Sequence, residues 1–374
     1  MFSIDQNCHS LWDVIPKLQV LVRRGLRVTH LQEDIDVAYT SLGASESGHD
    51  RLRLVRERFY RSGGQDWGAA LFYYDFLGRL PVEIRHWEPF TGMKTRSLAK
   101  ELDRSVDDLY DDFSPGDSLQ LVGPSYFHDP RLHRVIGDLR THETAGFVRE
   151  LMNHAREDMR NRFPSSASRA RIDDWFAQEN ARLAKLLAAN AGGHLADVYR
   201  DWLNEYLDAG VALDATSTMF SLDADPARLA LLEIFLRDYD LAAGLYNEAV
   251  REAGTDLREL DTAAGELPFF ATLGRDAHML RTGATLAGDS LVIGDRSIPL
   301  AAGRRFPLDE LAVADISCIA GKAILLVMQA CVGGESAGLA LPYRGSLYMP
   351  AVKALARKLR EHRLLPGELH PIVR

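Results

Sequence analysis

Between residues 119 and 164 the chain passes from a short apolar run, through Gly123-Pro124-Ser125-Tyr126-Phe127-His128-Asp129-Pro130, into a long helical pattern. That order spells a strand, a polar loop and a helix. It recurs twice, around the loop at 88–95 and around the loop at 342–350. A chain that repeats this unit is expected to build an open sheet flanked by helices.

The remaining segments fill in that frame. Leu11, Val14, Ile15 and Leu18 fall at helical spacing, and a second helical pattern is read through Leu31, Ile35, Val37 and Leu42, so residues 10–62 are expected to be helical. Residues 71–76 fit a strand or a buried helical turn, residues 80–87 a strand, and residues 97–110 a helix. In the helix after His133, Ala145, Val148, Met152, Ala155 and Met159 form one apolar stripe. Glu150 and His154 sit at i,i+4 on the opposite side, a spacing that suits a metal but more simply marks a solvated face. Three helices are expected over 165–255. The last begins with Asp225 as N-cap and Pro226 in its first turn, and it is apolar around much of its circumference. From 266 to 300, short runs divided by Gly274-Arg275-Asp276, Ala287-Gly288-Asp289 and Gly294-Asp295-Arg296 read as an antiparallel meander. An apolar helix over 319–332, a strand over 338–341 and a basic helix over 351–362 close the chain.

The expected fold is therefore mixed α/β and helix-rich: an open sheet with flanking helices, a helical insertion and a small antiparallel β-meander. Residues 1–65 form an N-terminal helical segment, 66–164 and 313–374 the two parts of an α/β core, 165–255 the helical region, and 256–312 the meander.

Composition limits the function classes. A net charge of -9 argues against general binding of a phosphate backbone, which needs a basic face. The arginines at 51, 53, 56, 58 and 61 and the basic helix near the end read as solvated faces. Cys8, Cys318 and Cys331 are too few and too scattered for a disulfide framework or a zinc site. The first residues lack a signal-peptide pattern, and the most apolar run, 323–328, is far shorter than a membrane span. These features point to a reducing cytoplasm.

Chemistry is expected in the three loops. If their strands are parallel, the loops gather at one sheet edge, where helix N-termini favour anions. Lys94, Thr95, Arg344, Ser346 and Tyr348 would hold a phosphate or carboxylate, Ser125 would supply a hydroxyl, and His128 would move a proton. The simpler account of each loop is that Gly and Pro turn the chain while hydroxyls cap the next helix. Repetition, with aromatic residues such as Trp87, Phe90, Tyr126 and Tyr343 around the loops, favours a pocket. Gly92-Met93-Lys94-Thr95 lacks the adjacent Gly-Lys of a phosphate-binding loop, and Val122-Gly123-Pro124-Ser125-Tyr126 lacks the second glycine of a nucleophile elbow. No metal, flavin or dinucleotide signature is present, so the cofactor stays unknown. The leading expectation is an enzyme acting on a small anionic metabolite by group transfer or ligation. The alternative is a non-catalytic binding or assembly protein whose apolar helix at 225–250 buries against a partner or a second copy of the chain.

Overall fold

The computed structural model describes residues 1–5, 11–40, 52–55, 68–74, 94–101, 103–105, 119–124, 133–162, 165–207, 210–254, 257–275, 278–333, 338–341 and 348–373. The chain opens with β1 (Phe2–Asp5), α1 (Leu11–Arg23), β2 (Val28–Gln32), β3 (Val37–Thr40), β4 (Arg53–Val55) and β5 (Gly68–Tyr74). Next come α2 (Thr95–Glu101), β6 (Leu119–Pro124), β7 (His133–Val135) and a 3-10 turn at Ile136–Asp138. Helices α3 (Thr141–Arg162), α4 (Ser166–Ala189) and α5 (Leu195–Asn204) precede β8 (Val211–Ala215) and α6 (Thr216–Met219). Then follow α7 (Pro226–Arg237), α8 (Tyr239–Ala253), β9 (Glu266–Arg275), β10 (His278–Ala287), β11 (Ser290–Ile293) and β12 (Arg296–Pro299). The last elements are α9 (Leu308–Val313), β13 (Ile316–Gly321), α10 (Ala323–Cys331), β14 (Leu339–Ala340), α11 (Met349–Glu361) and β15 (Ile372–Val373).

These strands make three sheets. One is wholly parallel, in the order β15-β14-β1-β2-β8. The second is antiparallel: β10 pairs with β9 on one side and with β11 and β7 on the other, while β12, β3 and β13 extend it. The third joins β4, β6 and β5, also antiparallel. The fold is mixed α/β, as the alternation of strand and helix patterns implied.

Two apolar clusters hold these layers together. The first packs α7, α8, α10 and α11 on the antiparallel sheet, with Phe235, Phe269, Leu325 and Leu355 wholly buried. The second gathers α1, α3, α4 and α5 around Phe72 and Leu121, and Phe72 stacks on Trp202 with ring centroids 5.9 Å apart. Two buried polar side chains inside these layers are held by several partners each, as burial favours. Glu179 of α4 accepts the Trp202 indole N–H at 2.9 Å and also meets Tyr206 and Arg182. Gln329 takes the Gly321 amide at 2.7 Å and donates to the carbonyls of Ile319 and Arg228. It thereby fastens the strand-to-helix turn between β13 and α10.

Most expected elements are present, with informative departures. The meander forms, but it is the body of the antiparallel sheet rather than a decoration upon it. The segment at 28–40 is two strands, not a helix: Leu31, Ile35 and Val37 are all buried but lie on a strand, a bend and the next strand. Residues 68–74 settle as a strand. Strand β8, which received no strand assignment from the pattern, completes the parallel sheet beside β2. Asp225 caps α7 through the Ala227 amide and Pro226 stands at its first position, yet the helix breaks at Asp238, whose φ is -139°. The apolar surface of α7 and α8 is consumed in the first cluster. Residues 316–321, partly read as helix, form β13. On α11, Arg357 grips Glu252 at 2.8 and 2.9 Å and Lys358 meets Glu248 at 2.9 Å, so this basic helix is partnered by α8. The α3 stripe is buried as expected, and His154 with Glu150 lies on the wet side, 3.5 Å apart. The helix expected at 97–110 stops at Glu101, and residues 103–105 are turn and coil with Asp103 at a φ of 52°; residues 106–110 and the expected strand at 80–87 lie outside the described residues.

The β13-to-α10 turn admits only glycine at its corner. A Cβ on Gly321 would stand 2.5 Å from the Leu325 Cβ and 2.6 Å from backbone atoms of Leu325 and Leu326. Gly321→Ala is expected to destabilise the protein by about 3 kcal/mol, the scale of overpacking in a rigid site. Gly283→Ala, where nothing lies within 4 Å, is the control and should stay within about 1 kcal/mol of the parent. Chemical denaturation of the two variants measures the difference.

Candidate functional site

All five strands of the parallel sheet point the same way, so their carboxyl ends share one edge. Beyond β2 that edge continues as Glu33-Asp34-Ile35-Asp36, and beyond β8 as Thr216-Ser217. The hydroxyl of Thr216 lies 2.8 Å from Asp34 Oδ1 and 3.2 Å from Glu33 Oε1, and it accepts the Asp34 amide at 3.2 Å. The Ser217 amide donates to Asp34 Oδ1 at 2.8 Å, and its hydroxyl donates to Asp34 Oδ2. Adjacent parallel strands thus exchange contacts through the residues that follow them.

The antiparallel sheet supplies the cation. Arg281 on β10 donates from Nη1 to the Ile35 carbonyl at 3.0 Å and to Asp36 Oδ1 at 2.9 Å. Its guanidinium carbon sits 3.5 Å from the Phe270 ring centroid, a close cation–π contact. Its Nε finds no hydrogen-bond partner among the described residues. On the same ring, Lys322 Nζ stands 5.4 Å from the centroid and donates to Glu266 Oε1 at 2.6 Å. Lys322 is the N-cap residue of α10. Burial pulls its ammonium below the ordinary lysine range, against the attraction of Glu266.

Burial also sets the protonation of the carboxyls. Glu33 is only 6% exposed. Desolvation first, then the charges of Asp36 and Asp34, push its pKa up to about 8, with Arg281 and Thr216 pulling the other way. Asp34 is also raised by burial, and the donors from Ser217 and Thr216 oppose the rise. At neutral pH the site holds a proton on Glu33, an ion pair between Asp36 and Arg281, and a carboxyl on Asp34 surrounded by donors. Such a group can give or accept a proton near neutrality. Among the described residues, no three side chains of metal-ligating type gather in a cluster.

The residues expected from the loops are distributed differently. Strand β6, which leads into the loop at 123–130, belongs to the three-stranded antiparallel sheet, while β14, which leads into the loop at 342–350, belongs to the parallel sheet. These two loops therefore leave different sheets, and the strand expected before the loop at 88–95 lies outside the described residues. Lys94 is exposed and its carbonyl accepts the Ser97 amide at 2.8 Å, opening α2 at Thr95. Tyr348 is half-buried at the start of α11. Ser125, His128, Arg344 and Ser346 lie outside the described residues. A concavity of about 430 Å³ between Arg360, Arg363 and Glu368 opens past the other end of α11, about 20 Å away along a helix of that length. Glu33, Asp34, Thr216, Ser217 and Arg281 were missed by the sequence reading. The available signal was two polar clusters, each directly following a strand of the parallel sheet.

Compared with protein-family models, curated proteins and solved structures, the chain matches none of them.

The Glu33 proton makes a stability prediction with a definite sign. The folded state keeps the proton to about pH 8, whereas the unfolded chain releases it near the ordinary glutamate value of 4.5. The folded state therefore binds more protons between these values, and stability falls as pH rises through that window. Glu33→Gln retains the shape without the proton. It should flatten this part of the pH profile and raise stability at pH 8 by about 1–3 kcal/mol. Thermal melts of both proteins from pH 5 to 9 check this, and an unchanged slope in the variant would place the titration elsewhere.

Proposed function

We propose that the protein is an enzyme acting on a small metabolite that bears a phosphate or carboxylate, with group transfer or ligation as the reaction class. The ligand is proposed to enter at the carboxyl edge of the parallel sheet. The observation that supports this reading is a reversal of strand order. From β1 the chain builds outward to β2 and β8, then returns to place β14 and β15 on the other side of β1. In open α/β sheets, the crevice outside the carboxyl ends at such a reversal is the usual ligand position.

The connection leaving β14 at this edge carries Arg344 and Ser346 before α11 begins. A guanidinium there offers a bidentate grip on an anion, and Ser346 and Tyr348 offer neutral donors. The first-turn amides of α11 add the positive end of the helix dipole. Two strands over, beyond β2, the acidic cluster carries less negative charge than its sequence suggests. Glu33 keeps its proton and Asp36 is paired with Arg281. An anion approaching the edge thus meets a weaker repulsion. Lys94 and Thr95 stand at the start of a different helix, and Ser125 and His128 follow β6 in the chain. They enter this proposal only as a second group.

The test is ligand-dependent melting with inorganic phosphate, pyrophosphate and citrate as probes. The parent should gain about 3 °C or more at saturating anion, and Arg344→Ala should lose that gain while Lys94→Ala retains it. Equal gains in the parent and in Arg344→Ala would remove the anion site from this edge.

A further inference from the structure

A second cluster lies where β7 and its 3-10 turn meet the start of β10. Asp138 is 3% exposed and accepts three groups. Its Oδ2 takes Arg134 Nε at 2.6 Å and faces His278 Nδ1 at 2.9 Å, and its Oδ1 takes the Met279 amide at 2.9 Å. The carboxylate therefore holds both the imidazole ring of residue 278 and the backbone that carries it. Arg134 is itself fixed, with Nη1 and Nη2 on the two oxygens of Glu143 at 3.0 and 2.9 Å and Nη2 on the Asp138 carbonyl at 3.0 Å. Among the described residues, the charged groups in this chain of contacts to the ring are Asp138 directly, Arg134 through the shared Oδ2, and Glu143 behind Arg134.

The ring is held on one side and open on the other. The His278 side chain is 38% exposed. Its Nε2 has no hydrogen-bond partner among the described residues. A carboxylate on Nδ1 selects the tautomer that carries its proton there, which leaves the Nε2 lone pair available. The three parts of a proton-transfer dyad are present: a buried carboxylate, a ring nitrogen within hydrogen-bond reach of it, and a second nitrogen on a partly exposed ring.

We infer that His278 and Asp138 form a dyad in which His278 Nε2 accepts a proton from a hydroxyl or water, with Asp138 as the positioning residue. In that step the O–H bond breaks as Nε2–H forms, the oxygen bonds to an electrophilic acyl or phosphoryl centre, and the proton returns to the departing group. The positive ring that forms in between is balanced by Asp138. This inference does not depend on the anion site proposed above, since it rests on other residues and on the other sheet.

The experiment reads the tautomer and the reactivity of the ring in the full chain. Long-range proton–nitrogen spectra of protein labelled at its 12 histidines, recorded above neutrality, assign His278 by its absence in His278→Gln. The expected form is Nδ1–H with a bare Nε2, opposite to the preference of a free neutral imidazole in water. Diethyl pyrocarbonate, an acylating probe, should modify His278 early, and Asp138→Asn should slow that reaction about tenfold or more by presenting the wrong tautomer. An Nε2–H tautomer in the parent, or an undiminished rate in a folded Asp138→Asn, overturns the inference. Should the variant fail to fold, the parent spectrum alone decides.

Discussion

The six residues from Gln32 to Val37 fasten the parallel sheet to the rest of the molecule. Where a chain leaves a sheet it must still satisfy its amides and carbonyls, and here it does so in three directions. Gln32 donates to the Ala196 carbonyl on α5 at 3.2 Å. Asp34 holds Thr216 and Ser217 beyond the neighbouring strand. The carbonyls of Asp34 and Asp36 accept the amides of Gly137 and Ile136 at 2.7 and 2.9 Å. Arg281 then closes the set from β10 through the Ile35 carbonyl. Both sheets and the helical region meet on this one bend.

Such a junction restricts its neighbours. Gly137 is tightly packed, because a Cβ would stand 3.1 Å from the Asp34 carbonyl oxygen and 3.2 Å from the Asp34 Cβ. Asp138 follows immediately and carries the His278 contact. The two clusters of titratable groups are thus separated by a single tightly packed glycine. Close packing at that glycine fixes the backbone from which both clusters project, since positioned groups need a supporting shell that does not yield.

The sequence showed the parts of this architecture that depend on local rules. Gly288-Asp289 and Gly294-Asp295 turn the meander where they stand, and Asp225-Pro226 starts α7, because turn and cap preferences act within a few residues. What stayed hidden depends on pairing at a distance. Val211–Ala215 is short and half-buried, and only its register against β2 makes it a sheet strand. Leu31, Ile35 and Val37 imitate helical spacing because a strand, a bend and a strand bury all three. The junction was illegible for a related reason. Glu33, Asp34 and Asp36 look like a solvated acidic stretch until Arg281, some 245 positions later, is brought beside them.

The roles of the two adjacent carboxyls at this junction separate on physical grounds. Asp34 accepts from the Ser217 amide and meets two hydroxyls, so its oxygens are used as acceptors, and an ionised carboxylate serves that purpose best. Glu33 is in the opposite position. Among the described residues its side-chain hydrogen bond is with the Thr216 hydroxyl, and burial with two acidic neighbours favours its neutral form. A neutral amide would make the same contact without the cost of retaining a proton across neutral pH. The fold therefore has a use for the charge at residue 34 but none for the ionisable group at residue 33. That group stands at the carboxyl edge of the parallel sheet, beside an arginine whose Nε has no hydrogen-bond partner among the described residues.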